Sequence, residues 1–256
     1  MEAIPVLGTA IVNTPWWIYR LFYSIDYPVE HFVVFNNNGR GQIDRELDLL
    51  KSVPHKYVKN VHVCHLPANV GCSGAWNLII KTFMNSPYWV ITNHDLMYEP
   101  GFLKACAEKM ADGTVGITHG NHGSWDFFAI RDWVVDKYGL FDENLYPAYC
   151  EDLDYGMRFQ HDDLKRELSV GVGYYHGEKK NSYEDGSQTW RSEPQIAQAI
   201  HIGHEYNKQY LNHKWGEGWQ AHIDEPTYET PFDKSDLPKC FTTYKLSFVR
   251  RKNLGF

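Results

Sequence analysis

Polar and acidic residues collect at four places in this chain where a strand-like run gives way to a turn, and each place suggests its own chemistry. Asn93-His94-Asp95 follows the apolar run Tyr88-Trp89-Val90-Ile91-Thr92. A carboxylate at the end of a buried strand faces the crevice beyond the sheet and suits a divalent cation, and the plainer alternative is a turn or helix N-cap. Asn36-Asn37-Asn38-Gly39 reads either as a turn or as amides that recognise a nucleobase edge. Asn69-Val70-Gly71-Cys72-Ser73-Gly74-Ala75-Trp76-Asn77 is a glycine-bearing loop entering a helix, where backbone amides and the helix dipole favour a phosphate. Glu151-Asp152-Leu153-Asp154 sets three carboxylates at a helix start. They complement the helix dipole, and their clustering also favours one of them acting as a general base. His176 closes a further strand-like run, as a structural residue or as a ligand.

The elements that must hold these residues follow from hydrophobic periodicity. Residues 4–12, 32–35, 61–65 and 88–92 read as strands, and residues 15–24, 43–50 and 73–84 as helices, the last with Ser73 as N-cap. This alternation predicts an α/β fold, a mostly parallel sheet with helices on both faces. Ligands of such sheets sit beyond the carboxyl ends of the strands, where Asn13, the Asn36 turn, the Asn69 loop and Asn93-His94-Asp95 all fall. In the second half, residues 115–118, 125–130 and 170–176 read as strands and 132–138, 151–161 and 194–211 as helices. Residues 214–256 read as irregular and rich in turn residues.

Composition narrows the function classes. The 256 residues are 43% hydrophobic and 22% charged, which excludes disordered and fibrous chains. A net charge of −7 argues against general nucleic-acid binding, which needs excess Lys and Arg to displace counterions. Aromatic residues make up 15%, with 9 Trp and 17 Tyr, flat faces that suit sugars, nucleobases and ordinary cores alike. The five cysteines (Cys64, Cys72, Cys106, Cys150 and Cys240) contain no C-x-x-C pair, and reduced thiols are expected. Met1-Glu2 leads into a strand without a signal-like segment, and the longest apolar runs fall short of the roughly 18 residues of a membrane span. A soluble, cytoplasmic protein with no membrane partner is expected.

Taken in order, Ile4-Pro5-Val6, Ser24-Ile25-Asp26-Tyr27-Pro28, the Asn36 turn, Asn69-Val70-Gly71 with Asn77, Asn93-His94-Asp95, Gly139-Leu140-Phe141-Asp142-Glu143 and Glu151-Asp152-Leu153-Asp154 resemble a family 2 glycosyltransferase of GT-A fold, in its rhamnosyltransferase-like branch. The resemblance runs on through Tyr210, Lys214-Trp215-Gly216, Tyr228 and Thr230-Pro231-Phe232. It implies one domain over residues 1–256, with a nucleotide-sugar-binding half (1–112), an acceptor and catalytic half (113–213) and a C-terminal tail (214–256). It also implies an inverting transfer from a nucleoside-diphosphate sugar, UDP favoured, to a hydroxyl of a glycan acceptor. Asn93-His94-Asp95 stands in the place of the D-x-D motif, with Asn93 a neutral amide where the first acid is usual. Asp95, with His176 as a second ligand, would then hold Mn²⁺ or Mg²⁺ on the donor diphosphate. Thr9, Ala10, Val12, Asn36, Asn37 and Asn38 would surround the nucleobase and ribose, and Asn69, Gly71 and Asn77 the phosphates and sugar. Asp152, beside Glu151, matches the catalytic base, and Trp125, Tyr149 and Trp190 are expected to face the acceptor.

Two other readings stay open on the sequence. Thr118-His119-Gly120-Asn121-His122-Gly123 contains the Gly-Asn-His element of two-metal phosphoesterases, although the early Asp-x-His of such sites is absent. An inactive nucleotide-sugar or carbohydrate binder is the other, kept alive by Asn93.

Overall fold

The computed structural model describes residues 2–159, 162–180, 186–217 and 232. Strands β1 (Ile4–Ile11), β2 (Val29–Asn36), β3 (Val58–His65) and β4 (Tyr88–Asn93) alternate with helices α1 (Trp16–Tyr23), α2 (Asp44–Leu49) and α3 (Gly71–Thr82), with one turn of 3-10 helix at Leu50–Ser52. Strand β5 (Leu96–Tyr98) and helix α4 (Phe102–Ala111) follow, then β6 (Ile117–His119), β7 (Phe127–Arg131), α5 (Asp132–Tyr138) and α6 (Glu151–Met157). The described chain ends with β8 (Arg166–Glu167), β9 (Tyr174–His176), β10 (Lys179–Lys180), α7 (Gln188–Arg191) and α8 (Pro194–Trp215).

Seven strands form one sheet in the order β3-β2-β1-β4-β7-β6-β8, and β10-β9-β5 form a second, three-stranded sheet. The β3-β2-β1-β4 block is parallel, while β7 runs antiparallel to both β4 and β6. The strand order reverses between β1 and β4, and such a switch point opens a crevice at the carboxyl edge. Register brings the site residues to that edge together: Ala10 pairs with Phe35 on one side and with Asn93 on the other, and Ile11 pairs with Asn36.

Alternation along the buried strands divides the apolar side chains between two cores. Leu7, Phe32, Val34 and Val90 meet α1, α2 and α4 on one face. Val6, Val33, Trp89 and Ile91 meet Trp76, Ile79 and Ile80 of α3, with Val134, Val135 and Tyr155, on the other. Each such side chain, fully buried, is worth about 1.5–3 kcal/mol.

Several expected boundaries move. Strand β5 and helix α4 are additions, the latter burying Phe102, Leu103, Cys106, Ala107 and Met110 at helical spacing. Trp125 lies outside its expected strand, which starts at Phe127, and the expected strand over 170–176 covers only Tyr174–His176. Helix α3 starts two residues early at Gly71, and the Ser73 hydroxyl is buried without a hydrogen bond instead of capping it. Helix α8 extends to Trp215, so Lys214 and Trp215 are buried helix residues and not tail. The remaining expectations for the tail, including Tyr228, Thr230, Pro231 and Cys240, fall outside the described residues, as does the expected end of the helix at 160–161. The four described cysteines are free thiols.

Candidate active site

One cavity of about 950 Å³ opens at the carboxyl edge of the sheet. Ala10, Val12, Asn37, Asn38, Asn69, Gly71, Asn93, His94, Asp95, Trp125, Tyr149, Glu151, Asp152, His176 and Trp190 all line it. The fold therefore gathers most of the expected site residues from strands, turns and helices far apart in the chain. Thr9, Asn36 and Asn77 are the exceptions among them, buried but not on its wall. Asn77 is committed elsewhere: its amide donates to Phe141 O at 2.9 Å and Glu143 Oε1 at 2.8 Å, and its oxygen accepts from Phe141 N at 2.9 Å. It fixes the loop after α5 on α3 and does not reach a phosphate site on this cavity.

The asparagine turn is likewise a staple. Asn36 donates to Asp44 and accepts from the Asn38 amide, and Asn38 donates to Val12 O at 2.6 Å. Asn37 donates to Gly71 O and accepts from Val70 N at 2.7 Å, tying the turn to the start of α3. Gly71 N donates to Asn69 Oδ1 and Cys72 N to Pro147 O, both at 2.8 Å. Three amides at the start of α3 thus have partners, which corrects the expectation of a bare amide cradle there. Gly71 adopts φ +77°, a left-handed conformation that turns the chain into the helix without a Cβ penalty.

At the end of β4, Asp95 is 2% exposed. Its Oδ2 accepts from Gln188 N at 2.7 Å, and its Oδ1 forms an ion pair with His176 Nε2 at 3.3 Å without good hydrogen-bond alignment. Burial alone would raise its pKa, but His176, His94 and the Gln188 amide outweigh it and hold the carboxyl far below the usual range. His176 Nδ1 faces Asp126 Oδ2 at 3.1 Å, and Tyr174 donates to Asp126. Burial lowers the His176 pKa, yet Asp126 and Asp95 override it and raise it to about 10. Ser187 N also points at Nε2, at 3.1 Å, a bond only the neutral ring accepts. With a carboxylate on either side the protonated ring is the favoured state. His94 is buried, its pKa lowered by burial, and its Nε2 has no hydrogen-bond partner among the described residues.

On the other side of the cavity, α6 presents Glu151 and Asp152. Tyr149 and Cys150 just before it both have positive φ, 72° and 75°, which non-glycine residues adopt at a cost of about 1–3 kcal/mol each. Asn207 of α8 holds this bend, donating to Ala148 O at 3.1 Å and Tyr149 O at 2.9 Å. A buried ionic network fixes the helix behind it. Lys214 Nζ lies 2.7 Å from Asp142 Oδ2 and 2.6 Å from Asp154 Oδ1, Arg158 pairs with Asp154, and Trp215 Nε1 donates to Asp154 at 2.9 Å. Glu151 is 6% exposed, its Oε2 is without a hydrogen bond, and burial followed by the Asp152 charge pushes its pKa up to about 8. Burial, and after it the neighbouring Glu151 carboxyl, raises the Cys72 thiol well above its usual pKa. Burial also raises the pKa of Asp152, opposed by the Leu153 amide that its Oδ1 accepts at 2.9 Å and by His204. Two adjacent carboxyl groups with raised pKa values favour proton transfer near neutral pH.

Sequence reasoning missed Asp126, Ser187 and the α8 wall, because pairing β9 against β5 and folding α7 over Asp95 are long-range events with no local signature. Beside the Gly-Asn-His element of the phosphoesterase reading, His119 is already engaged, 3.1 Å from both Ser124 O and Arg166 Nη2. Among the described residues no three His, Cys, Asp or Glu side chains converge as a metal cluster.

The model of Glycosyl transferase family 2 matches residues 24–176, the stretch from the end of α1 through Asp95 and Asp152 to His176. The chain belongs to this family. A galactofuranosyl glycosyltransferase of Leishmania donovani is 23% identical over 77% of this chain, and the match spans 64% of that relative's length. Among solved structures, S. aureus TarS 1-349 superposes with a TM-score of 0.55 at 15% identity, covering 85% of this chain and 73% of TarS. Its complex with UDP-GlcNAc gives 0.55 at 13% identity, covering 86% and 76%. The shared architecture is the GT-A fold, the mixed α/β sheet described above. Among the described residues of this family 2 chain, no helix is long and apolar enough to cross a membrane.

Proposed function

We propose that this family 2 chain is an inverting transferase, moving a sugar from a UDP-sugar to a hydroxyl of a glycan acceptor. One observation carries the reading: Asp95, at the end of β4, and Asp152, at the start of α6, line a single cavity at the switch point of the sheet. Asp152 takes the proton of the acceptor hydroxyl as it attacks, a contribution of about 10²–10⁴ in rate. Its raised pKa makes it a stronger base than an exposed aspartate. Attack from the Asp152 side, with the diphosphate held at the Asp95 side, inverts the anomeric carbon. Glu151, kept protonated by burial, limits the negative charge that Asp152 must face. The TarS complexes with UDP and UDP-GlcNAc support a uridine donor. Thymidine and guanosine diphosphate sugars are the competing donors.

The donor set suits Mn²⁺ or Mg²⁺ bound mainly by substrate. Asp95 Oδ1 is buried without a good hydrogen bond, and His176 Nε2 lies beside it once the ring gives up its proton. One or two protein ligands, completed by phosphate oxygens and water, is the usual number for such an ion. When bound, it would neutralise charge on the departing diphosphate. Asn93, lacking a charge, leaves Asp95 as the carboxylate of that motif.

A thermal-shift panel of UDP, dTDP, GDP and their sugars, each with Mn²⁺, Mg²⁺ or chelator, tests this. A bound ligand raises Tm by an amount that grows with the logarithm of its concentration over its Kd. We expect UDP with Mn²⁺ to give a large shift, chelator to reduce it, and UDP release to require an acceptor. No shift with any nucleotide refutes the reading. Binding without diphosphate release, whatever the acceptor, assigns the chain to the inactive binders.

A further inference from the structure

The cavity does not end at Asp152. It continues along α8, where Ile196, Ala199, Ile200, Ile202 and Tyr206 contribute to its wall, with Gln195 as the polar residue at its start. These positions recur at three- and four-residue intervals, the spacing of one helix face. At the centre of that face Gly203 lets α8 close on the loop before α6: a Cβ there would stand 2.3 Å from Pro147 Cδ. From residue 196 to 206 the wall extends about 15 Å, at 1.5 Å per residue. Ile202 is 48% exposed and Tyr206 66%. Isoleucine and alanine offer no hydrogen bond to a sugar hydroxyl. A polar glycan laid along them would give up bonds to water without replacement, whereas a hydrocarbon would remove apolar area from water.

Charge points the same way. Among the described residues lining the cavity, the basic side chains are Arg40, His94 and His176. All three belong to the donor side, Arg40 in the turn after β2 and the histidines at the ends of β4 and β9, and Arg40 is paired with Glu193 at 3.2 Å. The α6 end presents Glu151 and Asp152 instead. A phosphate beside the reacting hydroxyl would meet two carboxyl groups, and His204 of α8, the basic group that acts on Asp152, has its pKa lowered by burial and by Lys208 and so adds no cation at neutral pH.

We infer that the acceptor is an uncharged hydroxyl compound carrying an extended apolar aglycone, an alkyl or isoprenoid chain, which lies along α8. This rests on the transferase reading of the same cavity. Methyl, butyl, hexyl and octyl β-glycosides of glucose, galactose and N-acetylglucosamine, below their micellar concentrations, supply the probes. Binding in the presence of UDP is read by saturation-transfer NMR, and UDP release is followed with the donor the nucleotide panel selects. A fully buried methylene changes an equilibrium about fourfold. On this half-open wall about twofold per methylene is expected, and so about a hundredfold tighter binding over the seven methylenes from methyl to octyl. Saturation should fall on the chain protons, and Ile202→Gln together with Ile200→Ser should flatten the length dependence while the UDP thermal shift persists. The inference is overturned if UDP binds but affinity is independent of chain length, if the variants leave that dependence intact, or if polyol phosphates bind better than every alkyl glycoside. Loss of the nucleotide shift in the unmodified protein would instead refute the transferase reading.

Discussion

Replacing Glu151 by glutamine should stabilise the protein at alkaline pH and leave it nearly unchanged at acid pH. In the fold, burial and the neighbouring Asp152 raise the Glu151 carboxyl from its ordinary 4.5 to about 8. Between those two values the unfolded chain has released this proton and the folded chain has kept it. The folded state binds more protons, so stability falls as pH rises through that window, and the whole penalty is present above pH 8. At about 1.4 kcal/mol per pH unit, and allowing for relaxation around the pair, the penalty is about 2–4 kcal/mol. A glutamine amide at this position cannot ionise and escapes it. The assay is urea unfolding of both proteins at half-unit steps from pH 5 to 9. Only the difference between them is read, because Asp95 and His176 titrate alike in both. The difference should grow from near zero at pH 5 to about 2–4 kcal/mol at pH 8.5. A difference that stays flat across the range would refute the protonated Glu151 and, with it, the division of roles between the two carboxyl groups.

Other perturbations have equally definite outcomes. Lys214→Met leaves Asp142 and Asp154 as buried charges short of a cation, and should cost about 3–5 kcal/mol by denaturant unfolding. Asn207→Ala deprives the Ala148 and Tyr149 carbonyls of their donor, which should cost about 1–3 kcal/mol and lower kcat, because the bend that aims α6 is released. Arg40→Ala breaks an ion pair that is half in solvent, so unfolding should change by less than about 1 kcal/mol.

The first half of the fold is legible in the sequence because its signals are local. Buried β-branched runs such as Phe32-Val33-Val34-Phe35 and the helical spacing of α1 state both the element and its buried face. The parallel sheet then follows from alternation, and with it the placing of Asn93-His94-Asp95 beyond a carboxyl edge, whereas the reversal of strand order between β1 and β4 is visible only in the fold. Asp152 and His176 reach the same cavity through motif order, which no local pattern supplies. Helix α4 carries a clear period in Phe102, Leu103, Cys106 and Met110, and is overlooked beside the more polar motif before it. Asn77 and Asn36 show the opposite error. An asparagine next to a predicted ligand loop is as well suited to satisfying backbone carbonyls and amides as to binding a phosphate, and only the packed structure separates the two. The ionic cluster around Lys214 reads as tail because one lysine amid turn residues gives no sign of two buried aspartates.

The most direct measurement compares Asp152→Asn with the unmodified protein in two readouts, nucleotide affinity and single-turnover sugar transfer. Our reading predicts a Kd for UDP within about twofold and a transfer rate lower by about two to four orders of magnitude. A variant that transfers at the original rate would remove Asp152 from the chemistry. One that no longer binds UDP would place that carboxylate on the donor, not the acceptor.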